Sequence, residues 1–234
     1  MEGNYHIHST FSDGAMSIED IAKSASVMGF DEIGIVDHYH SINYPIKYLT
    51  QETLALFIEK VSSLTDHSVR FFSGIEIDGC LGLDSLLRMT DQGISKANFI
   101  VVEHVGELRE DFLNLKDFLF FARQQSCPVG LVHPKMRMLS ADQHPEMTVQ
   151  QLCEEKIFID AYVKDDYPNC LNRFNIDIGE YDSYIKKYKI PIMPGTDTHA
   201  CNNMQWAIGS LDLLLENGYT TLTMSTWEQV FATS

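Results

Sequence analysis

Apolar residues in this chain fall into short blocks that alternate between two spacings. Compact blocks rich in β-branched and aromatic residues occupy Asn4–Ser9, Glu32–Asp37, Val69–Ile77, Asn98–Glu103, Pro128–His133, Ile157–Tyr162 and Ile190–Gly195. Short apolar runs of this kind read as buried strands. Between them apolar residues return every three or four positions, as Ile21, Ala25 and Met28 do, or Leu54, Phe57, Ile58 and Val61. That spacing predicts helices: Ser17 to Gly29, Thr50–Leu64, Asp84–Met89, Asp111–Gln125, Val149–Glu154, Ile178–Tyr188 and Met204–Asn217. Ser17 followed by Asp20 resembles a capping box, and Gly29 and Gly218 serve as stops. A last apolar piece, Thr220–Met224, either closes the sheet or covers one end of it.

Strand-then-helix order repeated about seven times implies right-handed crossovers and a parallel sheet. The expected fold class is α/β, a barrel slightly smaller than the eight-fold form. With 234 residues, 44% of them hydrophobic, and no Gly/Ser-rich linker or internal repeat, residues 1–234 read as a single domain. No apolar run reaches the roughly 18 residues of a membrane span, and no leader precedes His6. A cytoplasmic protein with no membrane association is expected. Five cysteines, Cys80, Cys127, Cys153, Cys170 and Cys201, form no Cys-x-x-Cys pair and read as free thiols. The net charge of −16 disfavours nucleic acid and anionic membranes as partners. Clustered cations would offset part of it and would draw a phosphorylated substrate.

In a parallel barrel the C-terminal strand ends converge on one mouth, and here nearly every predicted strand ends in His, Asp or Glu. His6 and His8 close the first strand, on one face of it, with Asp13 just behind. Asp37, His38 and His40 follow the second, Glu76 ends the third, His104 follows the fourth, His133 ends the fifth, and Asp197 and His199 follow the last. One histidine at a strand end is usually an ordinary polar residue. Eleven such residues in this order point to a multi-metal site. Nitrogen and carboxylate donors suit Zn, Mn or Fe better than Mg alone.

The ordered motifs His-x-His-Ser-Thr-Phe-Ser-Asp-Gly (from His6), Val-Asp-His (Val36–His38), Gly-Ile-Glu (Gly74–Glu76), the histidine after strand four, Val-His-Pro (Val132–Pro134) and Gly-Thr-Asp-Thr-His (Gly195–His199) resemble the PHP family, named for polymerase and histidinol phosphatase. The resemblance runs from Tyr5 to Ala200 and implies a distorted seven-stranded (βα) barrel holding up to three divalent metal ions. It places His6, His8, Glu76 and Asp197 around one ion. Glu76, His104 and His133 surround a second, and Asp13, His38 and His199 a third. It makes Asp37 a residue that orients a ligand. The implied activity is phosphoester hydrolysis, most simply of a small-molecule phosphomonoester, by a metal-bridging hydroxide. One departure weakens an assignment to histidine biosynthesis: the histidinol phosphatases of the family resemble His-Thr-Pro-Phe-Cys where this chain has His-Ser-Thr-Phe-Ser.

Lys135 and Arg137 directly follow His133 and are candidates to bind a phosphate; a solvated basic loop is the competing reading. Arg173 and His40 are candidates of the same kind. His40 is a candidate proton donor to the leaving group, or an ordinary loop residue. The stretch Asp165–Asn175 is placed to border the pocket, as barrel loops do. His67 and His144 receive no role. The alternatives to a generic phosphoesterase are a histidinol phosphatase and an amidohydrolase, which also opens on His-x-His but holds one or two ions. A non-catalytic module stabilised by metal is a further reading. No motif specifies the substrate or an oligomeric state.

Overall fold

The computed structural model describes residues 2–40, 47–65, 68–106, 112–163 and 179–231, without the side chains of 201–202 and 228–231. One parallel sheet runs through them in sequence order: β1 (Gly3–Ile7), β2 (Glu32–His38), β3 (Arg70–Asp78), β4 (Phe99–Glu103), β5 (Val129–Leu131), β6 (Phe158–Tyr162), β7 (Pro191–Gly195) and β8 (Thr220–Thr221). Helices α1 (Ile18–Met28), α2 (Gln51–Ser62), α3 (Leu83–Asp91) and α4 (Leu115–Arg123) cross between the first five strands. They are followed by α5 (Met136–Leu139), α6 (Pro145–Glu154), α7 (Asp182–Tyr188), α8 (Ser210–Glu216) and α9 (Met224–Phe231).

The sheet has eight strands where seven were expected. β7 pairs at its beginning with β8, Pro191 opposite Thr220 and Ile192 opposite Thr221. At the other end the curl closes past β7: Ile7 bridges Thr198, the His8 N–H donates to the Thr198 carbonyl at 2.9 Å, and the Asn4 amide donates to Thr196 Oγ1 at 2.8 Å. Seven strands therefore meet at the C-terminal rim, and a two-residue eighth strand lies at the base. A strand of two residues carries no periodicity to read.

The interior below the rim is apolar. Tyr5, Val36, Phe72, Phe99, Val101, Phe158 and Met193 pack there with Leu222, Met224 and Trp227. Trp227 of α9 meets Phe158 edge-on at 5.7 Å. With the base filled, chemistry is expected at the C-terminal rim.

Local rules account for most element ends. Ser17 caps α1, accepting from Asp20 N–H at 3.1 Å and donating to its carboxylate at 2.8 Å, and Gly29 ends the helix in the left-handed region. His144 caps α6, accepting from the Glu146 N–H ahead of Pro145, so this helix begins four residues before the predicted start. The expected helix Met204–Asn217 is broken. A 3-10 stretch, Cys201–Ala207, gives way to extended Ile208 and left-handed Gly209 before α8 begins. Helix α4 starts at Leu115, where Asn114 caps it, and not at position 111. α5 was not anticipated.

Helix α7 ends on Lys189 at φ 54°, a backbone region that suits glycine. Lys189→Gly is expected to stabilise the fold by about 0.5–1 kcal/mol, read as a higher urea midpoint with an unchanged m-value.

Candidate metal centre

A bulge shapes the first strand. Asn4 pairs with Ile33 and Ile7 with Ile35, so three steps along β1 match two along β2. The extra residue breaks the alternation: Tyr5 packs in the interior, Ile7 against the helices, and His6 and His8 both reach the mouth. Their Nε2 atoms lie 3.0 Å apart. Glu76 Oε2, at the end of β3, is 3.2 Å from His6 Nε2 and 3.3 Å from His8 Nε2. Asp197 Oδ1 is 3.1 Å from His8 Nε2 and 3.7 Å from His6 Nε2. Ligands at 2.0–2.2 Å in a tetrahedron about one ion stand about 3.3–3.6 Å apart. Glu76 and Asp197 each therefore stand at about coordination-shell spacing from both imidazoles. Two ring nitrogens facing one another at 3.0 Å need a proton or a cation between them.

A second group shares His8. Its Nδ1 lies 3.5 Å from Asp13 Oδ1, while Asp13 Oδ2 is 3.2 Å from His199 Nε2 and 3.8 Å from His38 Nε2. The His8 ring stacks on His199 at 4.2 Å and on His38 at 4.6 Å. Glu76 Oε2 links the two groups, 3.4 Å from His38 Nδ1. Asp37 holds the loop that carries Asp13. Buried, it accepts from the Ser9 N–H (2.9 Å), Ser9 Oγ (2.5 Å), the Ser12 N–H (3.2 Å) and Ser12 Oγ. Burial raises its pKa, with His8 and these serines opposing the shift. Asp37 thus positions Asp13's loop.

The structure does not gather Glu76, His104 and His133 into one group. His104 Nδ1 turns to Asp78 (3.2 Å) and Glu103 (3.5 Å), and His133 Nε2 turns to Asp197 Oδ2 (3.3 Å). β5 stops at Leu131, short of His133. His104 and His133 also adopt left-handed backbone, at φ 57° and 49°, which takes their side chains out of the strand alternation. His40 and Asp197 share that conformation at φ 54° and 46°. Such backbone costs on the order of 1–3 kcal/mol per residue and collects at functional sites.

His40 is exposed and stacks on Tyr48 at 5.1 Å, apart from both groups. Lys135 and Arg137 are exposed, just after His133 on the rim. Arg173, His67 and Asp165–Asn175 lie outside the described residues.

Sequence reasoning missed two buried carboxylates. Asp160 Oδ2, in mid-β6, sits 2.5 Å from His6 Nδ1 and so fixes which His6 nitrogen faces the mouth. Glu103, the last residue of β4, has one oxygen with no hydrogen-bond partner. Each stood out as an acid within an apolar strand, Phe-Ile-Asp-Ala-Tyr and Phe-Ile-Val-Val-Glu.

Protons occupy this site when metal does not. Burial lowers the His6 pKa, but the Asp160 and Glu76 carboxylates outweigh it and hold it well above its ordinary value. A hydrogen bond to Asp13 raises His199; His133, depressed by burial, is raised on balance by Asp197. Burial, then Glu76, pushes Glu103 up to about 8. Burial raises Asp13 too, but His199 and His8 bring it down to about 2. Glu76 and Asp197 are likewise held low, against burial, mainly by His6 and by His133 respectively. Groups with raised folded pKa values contribute stability that is complete below their unfolded pKa and lost as pH rises through the folded value. The three depressed carboxylates remain ionised from pH 6 to 8 and add no slope there; His38, lowered by burial, opposes the loss only up to its unfolded pKa of about 6.5. Metal-free protein is therefore expected to lose thermal stability between pH 6 and 8, and zinc to raise Tm more at pH 8 than at pH 6. Thermal melts with and without chelator check this; a metal-free Tm that climbs over that interval would contradict the proton inventory.

The DNA polymerase/3'-5' exonuclease PolX of Bacillus subtilis (strain 168) is 24% identical over 161 residues, covering 66% of this chain. The match spans 27% of that relative's length. The crystal structure of histidinol phosphate phosphatase from Lactococcus lactis subsp. lactis Il1403, complexed with zinc, L-histidinol and phosphate, superposes with a TM-score of 0.65. It shares 14% identity and is covered over 95% of its length by 94% of this chain. The family model for the PHP domain matches residues 4–126, more than half of the sequence, and the chain belongs to the PHP domain family.

Proposed function

We propose that this chain is a metal-dependent phosphoesterase that hydrolyses a small-molecule phosphomonoester at the rim of a single domain. The convergence of Glu76 and Asp197 on the His6 and His8 imidazoles at about coordination-shell spacing carries the reading. These four would hold one divalent ion, and Asp13, His38 and His199 a neighbouring one; His133 reaches the first group through Asp197. Bound there, divalent cations would acidify water and offset charge developing on a phosphoryl oxygen. Zinc, present in the Lactococcus phosphatase, is the first metal to test, ahead of Mn and Fe.

The chain's own residues prepare that chemistry. Asp160 accepts the His6 Nδ1 proton, leaving the Nε2 lone pair to the mouth. Asp37 fixes the loop that presents Asp13. Lys135 and Arg137, exposed just after His133, would meet substrate phosphate oxygens, whereas His40, stacked on Tyr48 apart from both groups, fits the reading of an ordinary loop residue. The charge of −16 favours a small phosphorylated molecule over nucleic acid, although the Bacillus relative is a polymerase and exonuclease. No helix among the described residues is long and apolar enough to cross a membrane, which accords with a cytoplasmic protein.

The test is elemental analysis of freshly purified protein, followed by phosphate release from a panel of phosphomonoesters, histidinol phosphate among them, and from phosphodiesters. Bound Zn, Mn or Fe with monoester turnover is expected. Bound metal with turnover of amides or lactones alone would transfer the chain to the amidohydrolase reading, and no metal after reconstitution would overturn both.

A further inference from the structure

Strand alternation sets one more carboxylate above the apolar floor. Along β4, Phe99 and Val101 point into the interior, while Ile100 and Val102 pack toward the helices. Glu103, two residues past Val101, ends the inward row at the mouth. On β3 the inward row runs from Phe72 to Glu76 and Asp78, and the register sets Val101 beside Glu76 and Glu103 beside Asp78. Gly79 lets the two strand exits come this close, because a Cβ there would stand 2.6 Å from the Glu103 carbonyl oxygen. The sheet itself therefore delivers Glu103 to the rim.

The two oxygens of Glu103 differ in their surroundings. Oε2 is 3.5 Å from His104 Nδ1, but Asp78 Oδ1 approaches that nitrogen more closely, at 3.2 Å. Asp78 thus stands to His104 as Asp160 does to His6, and orienting this imidazole does not call for Glu103. Oε1 is buried and has no hydrogen-bond partner. The residue is 7% exposed, and one of its oxygens lies within 4.8 Å of donor atoms on both His38 and Glu76. Glu76 is itself buried. Two buried carboxylates side by side, one with an oxygen that no N–H or O–H meets, are costly unless a cation lies between them.

We propose that Glu103 is a further carboxylate ligand of the metal centre, binding the ion that Glu76 and His38 face from the neighbouring strands. The assignment rests on the metal-dependent phosphoesterase reading and adds a donor that none of the ordered motifs contains. It leaves His104 to the ion that the family resemblance gives it. Ligand charge sets how tightly a site holds a divalent ion. A fourth carboxylate, after Asp13, Glu76 and Asp197, therefore tightens the β3–β4 side of the centre.

Crystals of the wild-type protein loaded with zinc alone, measured at the zinc absorption edge, locate the ions. A Glu103 oxygen about 2.0–2.2 Å from an ion that also binds Glu76 or His38 is expected. Both oxygens outside bonding distance of every ion would overturn the proposal. In solution, competition with a chelator gives the zinc affinity. Changing the outer partner of a ligand costs about 10–100-fold, so Glu103→Gln, which removes a ligand, should weaken one equivalent by more than about 100-fold. A smaller loss overturns direct ligation. Glutamine keeps the volume and offers N–H groups to the Glu76 and Asp78 carboxylates, so the metal-free variant should melt no lower than wild type. Unchanged zinc affinity with a lowered metal-free Tm would make Glu103 a structural residue and also overturn the assignment. The crystal measurement needs no variant, so a misfolded Glu103→Gln leaves the test intact. Phosphomonoester turnover by the same wild-type protein reports separately on the phosphoesterase reading: turnover with Glu103 away from every ion sinks this assignment alone.

Discussion

Glu76→Gln is expected to lower turnover of the best phosphomonoester by about a thousandfold and to empty the histidine groups of metal, while the metal-free variant still folds. One oxygen of Glu76 stands 3.2, 3.3 and 3.4 Å from nitrogens of His6, His8 and His38, so a single atom faces both groups. Glutamine preserves the volume but removes the charge and presents either a neutral oxygen or an N–H to those imidazoles. A buried N–H aimed at lone pairs can stabilise them without metal, but it cannot share them with a cation. The apolar floor is separate from this change, so the fold survives. Elemental analysis and kcat are read on the same preparation. Wild-type metal content with wild-type kcat would remove Glu76 from the centre. Asp160→Asn is the graded control: it leaves every proposed donor in place and disturbs only the partner of His6 Nδ1, so metal affinity should fall about 10–100-fold.

The legibility of the site followed the physics of each position. His6, His8, Glu76, Asp197, Asp13, His38 and His199 were visible because polar, chelating side chains at strand exits stand out against apolar strands. The structure brings all seven into two adjoining groups. Asp160 and Glu103 showed the same contrast, a single acid inside an apolar run, but without their burial and partners that contrast assigned them no role. The failure to gather His104 and His133 around Glu76 has a backbone cause. Side-chain direction was argued from strand alternation, and both residues lie beyond the last paired residue in left-handed conformation. The bulge in β1 could not be read either, because it depends on how β1 and β2 pair. In the fold, long periodic segments such as α1 and α2 were read within a residue or two. The break at Gly209 was passed over because the apolar periodicity continues across it from Met204 to Leu214. The eighth strand is too short to have a pattern.

At the opposite end of the barrel, Glu32→Ala is expected to cost about 3–5 kcal/mol and to free the C-terminal helix while leaving the rim chemistry of the folded fraction intact. Glu32 opens β2 and is fully buried, yet every neighbour offers it a donor. The Tyr5 hydroxyl donates at 2.7 Å, the Met224 N–H at 3.1 Å, and Ser225 Oγ and the Arg70 guanidinium close the remaining directions. It therefore ties the interior of β1, the start of β3 and the first turn of α9 to one carboxylate. Burial, followed by the charge of Glu32, drives the Tyr5 hydroxyl far above its usual pKa, so that phenol remains a donor at any working pH. Alanine strands the Tyr5 O–H and the Met224 N–H in an apolar floor, each at about 1–3 kcal/mol. Arg70, 55% exposed, loses little because water can take its charge. Glu32→Gln keeps an acceptor oxygen and should recover part of the loss, which separates lost hydrogen bonds from lost volume. Urea unfolding gives the stability change, and exposure of Trp227, now packed on Phe158, reports release of α9 through a red-shifted emission. If the alanine variant unfolds at the wild-type midpoint with unshifted emission, Glu32 is not the clasp between the floor and the last helix, and packing around Trp227 alone holds it there.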